Sequence, residues 1–267
     1  MNKAILIAIL VSAVSTPSTS QESPVTFFPS QKIFPVFTAD ALSHQLSISR
    51  VTDNRDWIGT IGASLPLTQA MYPPLVLQLT TAATVFSRLT KTPGHVTVVS
   101  VDYRVDFPVD VRIREWVVRV AYGHLSSHYA DDGIEQLGKV SIPAVKDYID
   151  LGIARDVPAV GGFVYISSQF NYHNEPRADK KWILQWGGEF GNINISDGMR
   201  VYGAVDLKVK EEVGWGTTRS YQVGVKTFER NARALRIALT HRSGFEERGQ
   251  LFDQVAVANL VSLALDF

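Results

Sequence analysis

The sequence predicts an all-β protein: a closed antiparallel transmembrane β-barrel of about twelve strands in meander order. Three observations predict it. From residue 41 onward the dominant period is two, which puts apolar side chains on one face of each segment and polar ones on the other. The chain ends Leu260-Val261-Ser262-Leu263-Ala264-Leu265-Asp266-Phe267, a strand pattern with Val261, Leu263, Leu265 and Phe267 on one face. Its terminal aromatic, Phe267, reads as an outer-membrane targeting signal. Aromatic pairs also bracket apolar runs, Trp116 with Tyr122 and Trp182 with Trp186, as interfacial girdles do.

Composition narrows the alternatives. The 267 residues carry zero formal net charge and no cysteine. A neutral balance lacks the basic stripe that nucleic acid requires, so no nucleic-acid partner is expected. Without cysteine there are no disulfides, thiolate metal sites or lipidated N-terminal cysteine. No stretch approaches the length of an apolar membrane helix. A closed barrel still crosses a bilayer, because closure satisfies every backbone group between strands.

Taken in order, residues 1–20 read as a cleaved secretory signal. Lys3 gives a basic start, Ala4 to Val14 an apolar run too short to span, and Ser18 and Ser20 a small-residue cleavage region. Residues 21–40 hold Pro24, Pro29 and Pro35 among Phe27, Phe28, Phe34 and Phe37. Proline opposes regular structure there, while the aromatics require a packing partner. This segment is expected on the periplasmic side, either inside the lumen or beneath the rim.

The barrel is expected over 41–267. Its strands fall near 41–51, 57–66, 75–88, 95–107, 110–127, 146–155, 160–170, 181–190, 199–209, 217–228, 232–242 and 254–267. An even number leaves both termini in the periplasm. Connections 90–94, 129–145, 171–180, 210–216 and 242–250 then lie outside, and 108–109, 156–159 and 229–231 form short periplasmic turns. A charge on the lipid face near the midplane costs about 2–4 kcal/mol. The alternate face therefore lines the lumen with Asp102, Arg104, Asp106, Glu115, Arg119, Glu189, Arg200, Asp206, Lys208, Lys226 and Arg236. A small barrel with mixed charges is expected to be largely filled by ion pairs; a narrow diffusion channel is the alternative.

Three motifs carry a family resemblance: Ile33-Phe34-Pro35-Val36-Phe37-Thr38-Ala39-Asp40, Val99-Ser100-Val101-Asp102-Tyr103-Arg104-Val105, and Gly123-His124-Leu125-Ser126-Ser127-His128. With Phe267 they resemble the bacterial outer-membrane family known as domain of unknown function 1207. That resemblance implies an outer-membrane barrel of a Gram-negative bacterium, without an assigned activity.

His124 and Ser126, two apart on a strand, share a face. They continue the face of Trp116, Val118, Val120 and Tyr122, which is assigned to lipid. A His beside a Ser at headgroup level has the makings of base and nucleophile for ester hydrolysis. The pattern is similar to outer-membrane phospholipase A and lipid A deacylase at His-x-Ser. Those enzymes follow the Ser with Asn, where Ser127 stands here. If loop 129–145 closes its hairpin symmetrically, Ser126 lies opposite Asp147, a carboxylate able to orient His124. The catalytic candidates are therefore His124, Ser126 and Asp147.

Asp131, Asp132, Glu135 and His128 cluster in the longest external loop and read as solvated charges, since no calcium-loop pattern accompanies them. His44, His95, His173 and His241 show no ligand spacing. No metal and no cofactor are expected. The expected role is an outer-membrane barrel, structural or binding, with a charged lumen. A serine lipid esterase at His124 and Ser126 is the enzymatic alternative. Expected partners are outer-membrane lipids and, during biogenesis, the barrel assembly machinery.

Overall fold

A computed structural model describes residues 24–138, 140–227 and 234–266. The signal segment 1–20 and Phe267 lie outside the described residues. Period-two alternation becomes one continuous wall. Its strands are β1 (Val25–Phe27), β2 (Leu46–Val51), β3 (Asp56–Tyr72), β4 (Leu75–Thr92), β5 (His95–Ile113), β6 (Trp116–Tyr129) and β7 (Ala144–Val157), followed by β8 (Gly162–Glu175), β9 (Trp182–Ser196), β10 (Met199–Lys210), β11 (Gly216–Thr227), β12 (Ala234–Phe245) and β13 (Val255–Asp266). From β2 to β13 each strand pairs antiparallel with the next. Leu265 of β13 pairs with Leu46 of β2, closing a 12-strand barrel.

One rim holds the start of β2, the end of β13 and the turns 73–74, 114–115, 158–161 and 197–198; call it the near rim. The far rim holds the connections 52–55, 93–94, 130–143, 176–181, 211–215 and 246–254. A single helix, α1 (Asp131–Leu137), occupies the far connection between β6 and β7.

Facing follows the pleat. Val120, Leu151, Ile166, Val223, Leu239 and Leu263 point outward and are exposed, whereas Asp102, Asp106, Asp110, Asp206, Lys208 and Arg236 point inward and are buried. An exposed apolar belt around buried charges inverts the water-soluble arrangement and fits a hydrocarbon solvent.

Several strands run longer than the sequence expectation, β3 to Tyr72 and β9 to Ser196 among them, and two differences change where residues face. The turn expected at 108–109 lies instead at 114–115, with Arg114 in the left-handed region at φ 55°. Pro108 stays inside β5. It has no N–H to give, and the β4–β5 pairing lapses there without a change of register, between Val109 opposite Leu79 and Asp106 opposite Ala82. Glu115 consequently sits at the near-rim turn, 3.9 Å from Arg155, rather than in the lumen.

The first strand expected at 41–51 begins at Leu46, because the chain before it leaves the wall. β1 pairs with Thr68–Ala70 of β3 and completes the wall beside the short β2. Residues 33–44 then enter the lumen. Phe34 lies under the Arg119 guanidinium at 3.9 Å, and Phe37 stacks on Tyr165 at 3.5 Å. Arg112 donates to the Ile33 carbonyl at 2.7 Å and Thr38 donates to Glu189 at 2.6 Å. Asp40 accepts from Lys208, and His44 bridges Thr84 at 2.7 Å and Asp106 at 2.6 Å. From the far rim, loop 246–254 folds inward: Glu247 accepts from Lys208 at 3.1 Å, and the Gly249 N–H donates to Asp102 at 3.2 Å. Segment and loop meet at Lys208 and leave a cavity of about 100 Å³.

Candidate active site

The hairpin β6–β7 positions the sequence-selected residues. On β6, Trp116, Val118, Val120, Tyr122, His124, Ser126 and His128 alternate outward, while Val117, Ala121, Leu125 and Ser127 are buried inward. On β7, Val145, Asp147, Ile149, Leu151 and Ile153 share the outward face. His124 pairs directly with Asp147, and Ser126 with Val145. The expected partner of Ser126 was Asp147, so the register is displaced by two residues. The cause is an asymmetric hairpin: β6 runs on to Tyr129 along β5, and Ala130 donates to the Val99 carbonyl at 3.1 Å, while β7 starts at Ala144 opposite Ser127. An even displacement preserves facing, so Asp147 remains outward.

His124 Nδ1 lies 2.6 Å from Asp147 Oδ1. The second carboxylate oxygen, Oδ2, lies 3.0 Å from His173 Nδ1. An ionised carboxylate only accepts, so both imidazoles donate from Nδ1. That fixes the tautomer of neutral His124 and leaves Nε2 carrying a lone pair, the form of a general base. Asp147 is the least exposed of the three: its side chain is 22% exposed against 42% for His124 and 48% for His173. The hydrogen bond of His124 goes to Asp147 and not to Ser126 among the described residues. Two residues along a strand span roughly 6.6 Å, and catalytic bonds commonly tighten only with substrate.

His173 was missed by sequence reasoning for a definite reason. Strict alternation along β8 from Ile166 would turn it inward. Asp147 pairs with His173 but Tyr148 with Asn171, so a bulge at Tyr172 leaves both Tyr172 and His173 exposed. The bulge also completes an aromatic shelf on the near-rim side of His124. Phe107 stacks on Tyr122 and Tyr122 on Tyr172, each at 6.4 Å. Tyr103, opposite Ser126 on β5, leans on His128 at 6.2 Å. The site therefore stands on an apolar band, edged by aromatic rings, at the position of an interfacial girdle.

The remaining candidates form the lumen network. Asp102, Arg104, Asp106, Arg119, Asp206 and Lys208 all face inward. Arg119 grips Asp110 through two bonds of 2.7 and 2.8 Å, and Arg104 reaches Asp106 at 2.8 Å. Arg200 faces inward opposite Lys226, which is paired with Glu189. Asp110 escaped notice because a turn was expected beside it. The acidic cluster of the external loop falls on α1 and its flanks. Among the described residues no group of three or more His, Cys, Asp or Glu side chains is placed to hold a metal ion.

Solved structures share this architecture. The outer-membrane phospholipase of Salmonella typhi, a dimer with bound calcium, superposes with a TM-score of 0.53 at 12% identity, over 84% of this chain and 89% of that one. Outer membrane phospholipase A of Escherichia coli gives 0.52 at 13%, over 84% of this chain and 95% of its own. At such identities the likeness is one of fold. No curated protein matches the chain. The profile of the family described as "Protein of unknown function (DUF1207)" matches residues 50–262, and this chain belongs to that family.

Proposed function

We propose that this protein is a lipid ester hydrolase of the bacterial outer membrane, with Ser126 as nucleophile, His124 as base and Asp147 as the residue that orients the histidine. The observation that carries the reading is the 2.6 Å bond between His124 and Asp147 on the outward face, with Ser126 two residues further along the same face. Outer-leaflet phospholipid is the substrate class, because the site lies on the wall above an apolar band and not in the lumen. The fold's likeness to outer-membrane phospholipases agrees with this choice.

The chemistry follows from the tautomer. His124 Nε2 takes the Ser126 proton as Oγ attacks the ester carbonyl carbon. The carbon–oxygen bond to the glycerol then breaks, and the imidazolium returns its proton to the leaving alkoxide. Water, deprotonated by the same nitrogen, cleaves the acyl-enzyme and releases fatty acid. Asp147 stabilises the imidazolium formed in each half-reaction. The signal segment would deliver the chain to the periplasm, and the assembly machinery would insert it with both termini inside. The filled lumen supports a closed barrel over a diffusion channel.

The test is fatty-acid release from phospholipid in detergent micelles by refolded protein. With Ser243, the other outward-facing serine two residues after a histidine, already replaced by alanine, Ser126→Ala should lower turnover by at least about a thousand-fold, as loss of a nucleophile does, while keeping the heat-modifiable gel migration of a folded barrel. Turnover equal to that of the parent would rule out the assignment.

A further inference from the structure

On the opposite side of the ring, six strands from β6, the wall carries a second arrangement of the same chemical kind. His241 and Ser243 stand two apart on β12, on the outward face that also carries Leu235, Ile237 and Leu239. His241 pairs directly with Asn259 of β13 and Ser243 with Val257, with no shift in register along β12–β13. His241 Nδ1 lies 2.8 Å from Asn259 Oδ1. Asn259 is held in turn by Asp53 in the far-rim connection between β2 and β3. Its backbone N–H and Nδ2 both donate to Asp53 Oδ2, at 2.9 and 3.0 Å. Those two bonds, the backbone one foremost, keep the Asp53 carboxyl below the usual carboxylate range.

The chain of bonds fixes the histidine. Asp53 as a carboxylate only accepts, so the Asn259 atom facing it is the amide nitrogen and the atom facing His241 is the oxygen. That oxygen requires a donor, so the proton of neutral His241 sits on Nδ1 and the lone pair on Nε2. Thr52 adds rigidity by donating to the Asn259 carbonyl from its N–H at 2.8 Å and its hydroxyl at 3.1 Å.

Two independent features mark the place as a substrate site. An open groove of about 570 Å³ runs along the outward wall beside His241 and Asn259, lined by Tyr221, Val223, Leu239, Val261 and Phe190. It is deepened at Gly203, where a Cβ would meet only the Gln222 carbonyl at 3.9 Å. In addition, the exposed Arg219 stands opposite Ser243 in the β11–β12 register, a cation beside the would-be nucleophile. An acyl chain fits the groove, and a phosphate-bearing headgroup complements the arginine.

We propose that Ser243, His241 and Asn259 form a second ester-cleaving centre, acting on a glycerophospholipid whose acyl chain lies in the groove below Asn259. The substrate class rests on the lipid-hydrolase reading above; the second centre itself does not depend on Ser126. Ser243 Oγ bonds to the ester carbonyl carbon and His241 Nε2 accepts its proton. The glycerol alkoxide leaves with that proton, and water restores the serine by releasing the fatty acid. Asn259 is a positioning residue that holds the imidazole and its tautomer.

A fluorophosphonate probe, whose phosphorus an activated serine oxygen attacks with loss of fluoride, tests the proposal on the full folded chain in detergent. Peptide mapping locates the adducts. The expected result is an adduct on Ser243 as well as on Ser126. The Ser243 adduct should persist in Ser126→Ala, vanish in His241→Ala, form at least about ten-fold more slowly in Asn259→Ala, and be restored when Asn259→Asp is combined with Asp53→Asn, which keeps a donor between the two side chains. An adduct on Ser126 alone overturns the second centre and keeps the first. An adduct on Ser243 alone keeps the second and overturns the first. No adduct on either serine overturns both.

Discussion

Asp147 bonds two histidines with its two oxygens, and this shared use distinguishes the site from a chance His-x-Ser pair. With His173 on Oδ2, the carboxylate is held from both sides and presents Oδ1 to His124. In a Ser243→Ala background, Asp147→Ala should therefore lower kcat about 100- to 10,000-fold with KM little changed, because the imidazole loses its orientation and the stabiliser of its charged form. Steady-state kinetics on a micellar phospholipid measure this. An unchanged kcat would reduce Asp147 to a surface partner. The shared facing of His124 and Ser126 was legible in the sequence, since strand alternation fixes it. The pairing with Asp147 was legible only to within two residues, because the extra length of β6 along β5 is decided by contacts that no local pattern encodes. His173 was not legible, since a bulge inverts its facing. His241 and Ser243 were open to the same alternation argument that selected His124 and Ser126. What separates them from background is Asn259, eighteen residues away in sequence and adjacent only in the folded wall.

The elements with most effect on the lumen are the segment 33–44 and the inward loop 246–254. Burial pushes Asp40 up, but the Lys208 ammonium and the Arg104 guanidinium outweigh it and hold its carboxyl at about 2. Burial also raises Glu246, and Arg248 outweighs it, again leaving about 2. Both groups sit below their unfolded values, so their contribution is present above about pH 4.5 and is lost as pH falls toward 2. His44 behaves differently. Burial lowers it from 6.5; Arg104 and Arg119 add to this, and the bond and charge of Asp106 oppose it. Its folded form takes a proton less readily than the unfolded chain does, so stability falls as pH drops below 6.5. Between about pH 7.5 and about pH 5.5, the thermal midpoint in detergent should decrease for the parent and decrease less for His44→Gln. Parallel curves would show that His44 takes a proton as readily in the folded chain as in the unfolded one. The proline- and phenylalanine-rich composition of 21–40 required a packing surface, yet it could not name one. Phe34 on Arg119 and Phe37 on Tyr165 join residues far apart in sequence. The misplaced turn at Pro108 has a related origin, because proline signals a break unless the ladder itself is interrupted, and that interruption lies in the β4–β5 pairing.

At the scale of the molecule, alternation, aromatic edges and the segregation of charge all describe one object, a barrel that is polar and occupied inside and apolar outside. Those signals are additive along the chain, which is why the architecture was readable although single strands are weak evidence. Depth is the property on which the proposed hydrolysis rests, because His124 and Ser126 would meet lipid esters only at the edge of a hydrocarbon band. The chain has no cysteine, so a single introduced cysteine carries one nitroxide label without further changes. Electron paramagnetic resonance of labels at Leu151→Cys, Ile237→Cys and Ser126→Cys, in protein reconstituted into phospholipid vesicles, compares collision with oxygen, which concentrates in hydrocarbon, against collision with a water-soluble nickel chelate. The expected result is oxygen-dominated relaxation at 151 and 237, and comparable access for both agents at 126. Nickel-dominated relaxation at 151 and 237 would place water against the apolar belt and contradict the account.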